Sequence, residues 1–523
     1  MEAASKTLPD DIKTLKDLVL NQQDLLCRQD TKIQALTEQV RLLKHHRFGS
    51  SSEKISPDQL ALFNEAELLD LDDKDQADAH DEDLGDIEVP SHKRKRGQRN
   101  SLPEDLPRVR VEHDLTAEEK ICECGCEKKR MGEETSEQLE IIPQQVRVIH
   151  NVRFKYACPS CETGVQIAKL PPSPIPKSNV TPGLLAFIII SKFMDALPLY
   201  RQEKIFERIG VTLSRTSMAR WVIQASILIQ PLLNLMQEHA LSDDILAMDE
   251  TTVQVLKEPD KPPTSTSYMW IRRGGPPDQP VVLFDYSPSR SQAVADGLLD
   301  GFTGYLQSDG YQVYANVAAA NEKVISVGCW AHARRKFEKA VKAQGKGKTK
   351  AGMAMQGLSY IRTLYRIEDK IKACSPEERY NIRQSEAKLT LDKIRVWLDK
   401  AIAKPPASST VGAALNYLHN QWGTLTHYIE DGRLRIDNNH TENAIRPFVV
   451  GRKNWLFSDT PKGAHASAAL YGIIETAKLN GLEPYRYLRH IFKELPKAES
   501  IEQFEALLPW HVDRDKINNG SIH

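Results

Sequence analysis

The stretch ILAMDETTVQVL, residues 245–256, is where the chain changes texture. Before it, apolar residues recur at helical spacing. Within it they run unbroken for four positions and then alternate with polar ones, the pattern of a strand with one face in a core. Asp249 stands directly after ILAM. An isolated carboxylate is costly to bury, so one among apolar strand residues persists when it binds a cation or is otherwise paired. Four further runs, SYMWIRR (267–273), PVVLFDYS (280–287), GYLQSDGY (304–311) and VISVGCWA (324–331), are separated by turn signals. They read as the rest of a five-strand meander. Asp309 follows GYLQ as Asp249 follows ILAM, and Gly310 suits a turn immediately after it.

Past His332 the pattern is helical as far as about Glu430. Another helix begins within IDNNHTENAIRP (436–447), which can be read in two ways. Asn439 and Glu442 have the spacing of a capping box. Alternatively, Glu442 is a third carboxylate brought to the two strand aspartates. Metal-assisted phosphoryl transfer requires carboxylates from separate elements converging on two cations about 3.5–4 Å apart. Hard Mg²⁺ or Mn²⁺ takes such oxygen ligands. Glu250 and Asp437 are neighbouring alternatives, with Glu250 expected on the face opposite Asp249 and Asp437 as a helix cap. Glu442 and Arg446, four apart, share a helix face, so Arg446 is placed to orient Glu442 or touch phosphate. These features point to a multidomain α/β protein whose catalytic core is ribonuclease-H-like and contains a long helical interval before Glu442.

The 523 residues exceed one ordinary core, and 70 basic against 71 acidic side chains argue neither for nor against nucleic acid. That balance hides segregation. Residues Glu65–Glu88 are acidic, while His92–Arg99 and Arg334–Lys350 are basic. The N-terminus lacks the form of a secretory signal. The most apolar run, Leu184–Ile190, is far short of the about 20 residues that span a bilayer, so no membrane partner is expected.

Ile12, Leu15, Val19, Gln22, Leu26, Gln29, Ile33, Leu36, Val40 and Leu43 alternate by threes and fours. Such a heptad seam favours a parallel two-stranded coiled coil over residues 1–50, and hence a homodimer. A charged linker is expected over 51–110. Five of the eight cysteines fall between Cys122 and Cys161, inside a module spanning 111–170. Clustered cysteines without a secretory signal indicate metal rather than disulfides. Cys158 and Cys161 have zinc-knuckle spacing, and two of Cys122, Cys124 and Cys126 would complete a zinc-ribbon-like site for structural Zn²⁺.

Residues 171–240 read as a helical DNA-binding region, 241–460 as the catalytic domain with its insertion at about 338–430, and 461–523 as a helical C-terminal region. Within the first of these, 201–222 has the form of a helix-turn-helix. Gly210 marks the turn, and Ser214 caps a second helix presenting Arg215, Thr216 and Arg220. GRKNWLF (451–457) interleaves Arg452 and Lys453 with Trp455 and Phe457, cations for phosphate and aromatics for an unpaired base. With Arg334 and Arg335 it outlines a positive channel for double-stranded DNA.

Nearly the whole chain resembles a bacterial DDE transposase of the insertion sequence 66 family, the large subunit often called TnpC. The resemblance is carried by RFGSSSEK (47–54), LPEDLPRVRVEHDL (102–115), KFMDALPLYRQEKIFERIGVTLSRTSMARWV (192–222), MDET (248–251), QSDGY (307–311), CWAHARRKF (329–337), DNNHTENAIRPFVVGRKNWLF (437–457) and ETAKLNGLEP (475–484). It implies that Asp249, Asp309 and Glu442 form a catalytic triad for two Mg²⁺ or Mn²⁺ ions. The implied reaction is cleavage at the ends of an insertion sequence and transfer of the freed 3′-hydroxyl to target DNA. Cys329 and His332 match a Cys-x-x-His motif that follows the second aspartate in DDE enzymes with such insertions, implying support of the active site. A cytoplasmic, bacterial setting and small accessory proteins from the same element are implied as well. The rival readings are a nuclease or resolvase that cuts without joining, and a DNA-binding regulator without catalysis.

Overall fold

The computed structural model describes residues 146–156, 166–167, 169–344, 352–405 and 408–519, with parts of 11–40. The chain divides into two compact units, residues 52–169 and the remainder. In the first, a short antiparallel pair joins Lys155–Tyr156 to Gln166–Ile167. Cys122, Cys124, Cys126, Cys158 and Cys161 lie outside the described residues, as does the charged linker. Within 11–40 the described residues from 12 onward are helical, and the seam side chains of Ile12, Val19, Leu26, Ile33, Leu36 and Val40 are exposed. Among the described residues no helix is long and apolar enough to cross a membrane.

Among the described residues from 170 onward, four helices precede the sheet: α1 (Pro182–Phe193), α2 (Leu199–Arg208), α3 (Arg215–Leu228) and α4 (Gln230–Ser242). Thr181 caps α1 through the Leu184 amide, with Pro182 in the first turn, where its missing N–H costs nothing. Between α2 and α3, Gly210 takes φ +79°, a conformation open to glycine without strain. The Ser214 hydroxyl then accepts the Ser217 amide at 3.2 Å and starts α3. Met218, Trp221, Val222 and Ala225 bury the inner face of α3, leaving Arg215, Thr216 and Arg220 exposed. A helix, a glycine turn and a capped second helix therefore follow one another over Leu199–Leu228.

The five expected strands form one sheet: β1 (Ile245–Gln254), β2 (Thr266–Gly274), β3 (Val281–Ser287), β4 (Gly304–Gln307) and β5 (Val324–Val327), in the order β3-β2-β1-β4-β5. Only the first three are a meander, which corrects the five-strand expectation. β4 returns to pair in parallel with β1, and β5 pairs in parallel with β4. Parallel neighbours need crossovers. Two short helices supply them, α5 (Gln292–Leu298) and α6 (Gln312–Ala320). Gly304 permits the return: at φ +122° a Cβ there would lie 2.3 Å from the Asp244 carbonyl oxygen.

After β5 come α7 (Trp330–Gln344), α8 (Met353–Ile371), α9 (Pro376–Ile382), α10 (Lys388–Ala401), α11 (Thr410–Asn420) and α12 (Trp422–Thr426). A π turn at Arg383–Ala387 joins α9 to α10. These helices have their own core, from Val327 and Trp330 through Ile361, Leu391 and Leu415 to Leu434 and Ile436. The helical part of this interval begins at Trp330. The remaining helices are α13 (Asn439–Trp455), α14 (Pro461–Leu479) and α15 (Pro484–Glu494), followed by two short ones. α14 packs on β3 and α3, α15 on α1, and α13 crosses β1. Their apolar faces merge with those of α1, α3, α4 and the sheet into one core.

Lys192, near the end of α1, lies with Nζ 5.1 Å from the Phe193 ring centroid and 5.7 Å from that of Trp455. Burial, with no carboxylate to offset it, lowers its pKa to about 8 from an ordinary 10.5. The folded state therefore binds fewer protons than the unfolded chain across this window, and stability rises as pH climbs through it. Lys192→Met is expected to add about 1–2 kcal/mol of stability at pH 7, with the gain fading by about pH 10. Thermal melts at the two pH values check this. Destabilisation at pH 7 would contradict it.

Candidate active site

β1 and β4 run side by side in parallel with Ala247 opposite Gln307. Continuing that register by two residues brings Asp249 level with Asp309, just past the end of β4. Asp309 is held by its loop, its Oδ1 accepting the Tyr311 amide at 2.9 Å. Glu442 arrives from the far side of the insertion, and the segment before it is stitched to the sheet. Gln307 donates to the Arg435 carbonyl at 2.6 Å, and the Trp330 amide to the Ile436 carbonyl at 3.1 Å. The Asn438 side chain donates to the Met248 carbonyl at 2.9 Å, and its amide to Cys329 Sγ at 3.3 Å. α13 therefore starts against the centre of β1, one turn before Glu442.

Asp249 senses the other two carboxylates. Burial first, then the charges of Glu250, Asp309 and Glu442, push Asp249 up to about 7. Carboxylates that repel one another are a donor set that hard divalent cations accommodate. Glu442 has a positive partner in the chain itself: Arg335 on α7 donates to both its oxygens, at 2.6 and 2.7 Å. His332 Nδ1 stands 3.9 Å from Glu442 Oε1. Cys329 is fully buried beside them.

The capping box between Asn439 and Glu442 does not form. Instead the Asp437 carboxylate accepts the Asn439 amide at 3.2 Å and side-chain amide at 3.0 Å, and the Tyr365 hydroxyl at 2.8 Å. Asp437 is thus absorbed in starting α13, and the Glu442 carboxylate takes no part in the cap. Nor does Arg446 orient Glu442. Its Nη1 is buried without a hydrogen-bond partner among the described residues, and the ion pair goes to Arg335. Glu250 points away from Asp249, with its side chain buried and bound by Arg290 and the Tyr314 hydroxyl.

Arg290 also stacks on Tyr311, 3.6 Å from its centroid, linking the strand of the first aspartate to the loop of the second. Nothing in the spacing of SPSR (287–290) signalled this role. A second group missed from sequence is Arg273, Arg435 and His440. Arg273 donates to the His440 carbonyl at 2.9 Å; burial and then the Arg435 charge lower its pKa to about 10. Burial, followed by both arginines, holds His440 well below its ordinary value.

Other basic candidates are partly engaged. Arg334 pairs with Glu338 at 2.9 Å, and Arg452 donates to the Thr252 hydroxyl at 2.9 Å, tying α13 to the end of β1. Lys453 is exposed. Trp455 packs edge-on against Phe448 with centroids 5.4 Å apart, so the more open aromatic of GRKNWLF is Phe457.

By its sheet and strand-end carboxylates the chain falls among mixed α/β proteins with an acidic site beside a central strand. Residues 177–466 match the family model described as "Transposase IS66 family", and the chain belongs to that family. Residues 473–510 match the "IS66 C-terminal element", 119–162 the "zinc-finger binding domain of transposase IS66", and 35–111 "Transposase C of IS166 homeodomain". Similar curated proteins come from Sinorhizobium fredii (strain NBRC 101917 / NGR234). "Uncharacterized protein y4jD" is 31% identical with 100% of each chain covered, and "Uncharacterized protein y4qI" is 31% identical with 98% of each covered. Membership in this family implies DNA as a partner and use of a divalent metal, and the zinc-finger match suggests zinc binding.

Proposed function

We propose that the protein binds the ends of a bacterial insertion sequence and catalyses DNA cleavage and strand transfer at a DDE triad of Asp249, Asp309 and Glu442. The observation that carries this reading is the parallel pairing of β1 with β4, which brings Asp249 level with Asp309 just past the end of β4, with the Glu442 helix fastened across β1. The strand order, a three-strand meander with two parallel strands added beside β1, supports a ribonuclease-H-like core. Two Mg²⁺ or Mn²⁺ ions, when bound, would supply Lewis-acid activation of water and stabilisation of the attacking and leaving oxygens.

The residues themselves divide the work. Asp249 on β1, Asp309 just past β4 and Glu442 on α13, which Arg335 now holds, are the residues that would hold the cations. Glu250 and Tyr314 position Arg290 above the Asp309 loop. Arg273, Arg435 and His440 offer a positive, half-buried seat for a backbone phosphate, as do Arg446, Arg452 and Lys453 along α13. Phe457, beside them, takes the stacking role expected of Trp455. Arg215, Thr216 and Arg220, exposed at the start of α3, are placed to read an element end.

The exposed seam over 12–40 supports a homodimer through a coiled coil. A structural zinc at four of Cys122, Cys124, Cys126, Cys158 and Cys161, small accessory proteins and a cytoplasmic setting complete the reading.

Purified protein, end-sequence DNA, a target plasmid and Mn²⁺ test it. Nicked ends together with end–plasmid joints are expected. Nicks without joints would leave a nuclease, and binding without nicks a regulator.

A further inference from the structure

We propose that Cys329, His332 and Glu442 form a separate site for a borderline-soft divalent cation such as Zn²⁺, whose binding draws Glu442 away from Asp249 and Asp309. One ligand atom from each lies within 4.8 Å of the other two. Sulfur, imidazole nitrogen and carboxylate oxygen are the donors zinc takes at about 2.0–2.3 Å, whereas Mg²⁺ disfavours the first two. The closing movement falls to His332 and Glu442, both part-exposed, while Cys329 stays in place. Its sulfur is preset: the Asn438 amide donates to it at 3.3 Å, while the His332 amide donates to the Cys329 carbonyl at 3.2 Å and closes the turn between them. A Cys-x-x-His turn and one carboxylate give three protein ligands and leave the fourth position to water.

His332 carries the second clue. Its Nδ1, on the side of Glu442, is buried without a hydrogen-bond partner among the described residues. Its Nε2 faces Arg335 Nη1 at 3.4 Å. Arginine only donates, so that contact favours the tautomer with its proton on Nδ1. A metal on Nδ1 needs the proton on Nε2, and it also needs the Glu442 carboxylate that Arg335 holds. The guanidinium therefore opposes the cation twice, and the two exclude one another. On binding, the Cys329 thiol releases its proton to solvent. The consequence for Glu442 in cleavage rests on the DDE reading, but the site itself does not.

The test is titration of the full-length protein with Co²⁺, followed by the thiolate-to-cobalt absorption and by bound equivalents after dialysis. Cys329→Ser and His332→Ala keep all five cysteines from Cys122 to Cys161. Each is expected to bind one equivalent fewer than the parent. Arg335→Ala is expected to bind that equivalent about 10-fold more tightly, and Glu442→Gln, which loses a direct ligand, more than about 100-fold more weakly. Equal equivalents in the parent and both ligand variants would overturn the site, as would an unchanged affinity in Arg335→Ala. Because no DNA is present, failure here leaves the cleavage reading standing. Loss of cleavage function with normal cobalt uptake would strike only that reading.

Discussion

Asp249→Ala is expected to slow DNA cleavage more than about 100-fold while changing the binding of end DNA little. Partners one shell away from a metal typically cost about 10–100-fold when lost, and a direct ligand should cost more. The same position yields a stability result of opposite sign. The carboxyl titrates at about 7 in the folded chain, against an ordinary 3.8. Between those values the folded state binds the extra proton, so stability falls as pH rises through the window and the penalty is complete above it. Asp249→Asn is therefore expected to gain about 1–3 kcal/mol at pH 8 and nothing at pH 4, measured without divalent metal. A merely structural aspartate would lose stability when replaced. Parent-rate nicking by Asp249→Ala, with clean metal controls, would sink the assignment.

Glu368→Ala is expected to cost the insertion about 3–5 kcal/mol, the usual effect of leaving one member of a buried ion pair alone. Arg383, in the π turn, has a side chain with no exposed surface. It donates to the two Glu368 oxygens at 2.9 and 2.7 Å. It also donates to the carbonyls of Tyr428, Asp431 and Leu434 at 2.9, 2.8 and 2.9 Å. Those carbonyls belong to the segment that runs into Ile436, Asn438 and then Glu442. The insertion thus holds the third carboxylate's approach as well as its own core, and cleavage should fall along with stability. Urea unfolding followed by the insertion tryptophans, Trp330, Trp397 and Trp422, reads the loss. A change below about 1 kcal/mol would show that the charge reaches water by another route.

Much of the architecture was legible from local pattern. Strand alternation located all five strands, and Gly210 with Ser214 located the turn and cap before α3. The meander failed because QAVADGL and QVYANVAAA are too short to announce themselves as crossovers. Both are single helices of only two or three turns. The capping box failed because its spacing is a statement about one helix turn. Asp437 outcompeted Asn439 through contacts with Tyr365, 72 residues away in sequence.

What the sequence determined by itself was which residue types sit where along each element: two aspartates ending apolar strand runs, one glutamate opening a helix, and the motifs that mark the family. Which of these groups face one another was decided only by tertiary structure. Glu442 meets Arg335 across 107 residues, not Arg446 across four, and Glu250 takes Arg290 and Tyr314 in place of a metal. The reason is physical. Periodicity follows from backbone geometry within a few residues, whereas a charge finds its partner through the crossing of helices over a sheet, which no local spacing records.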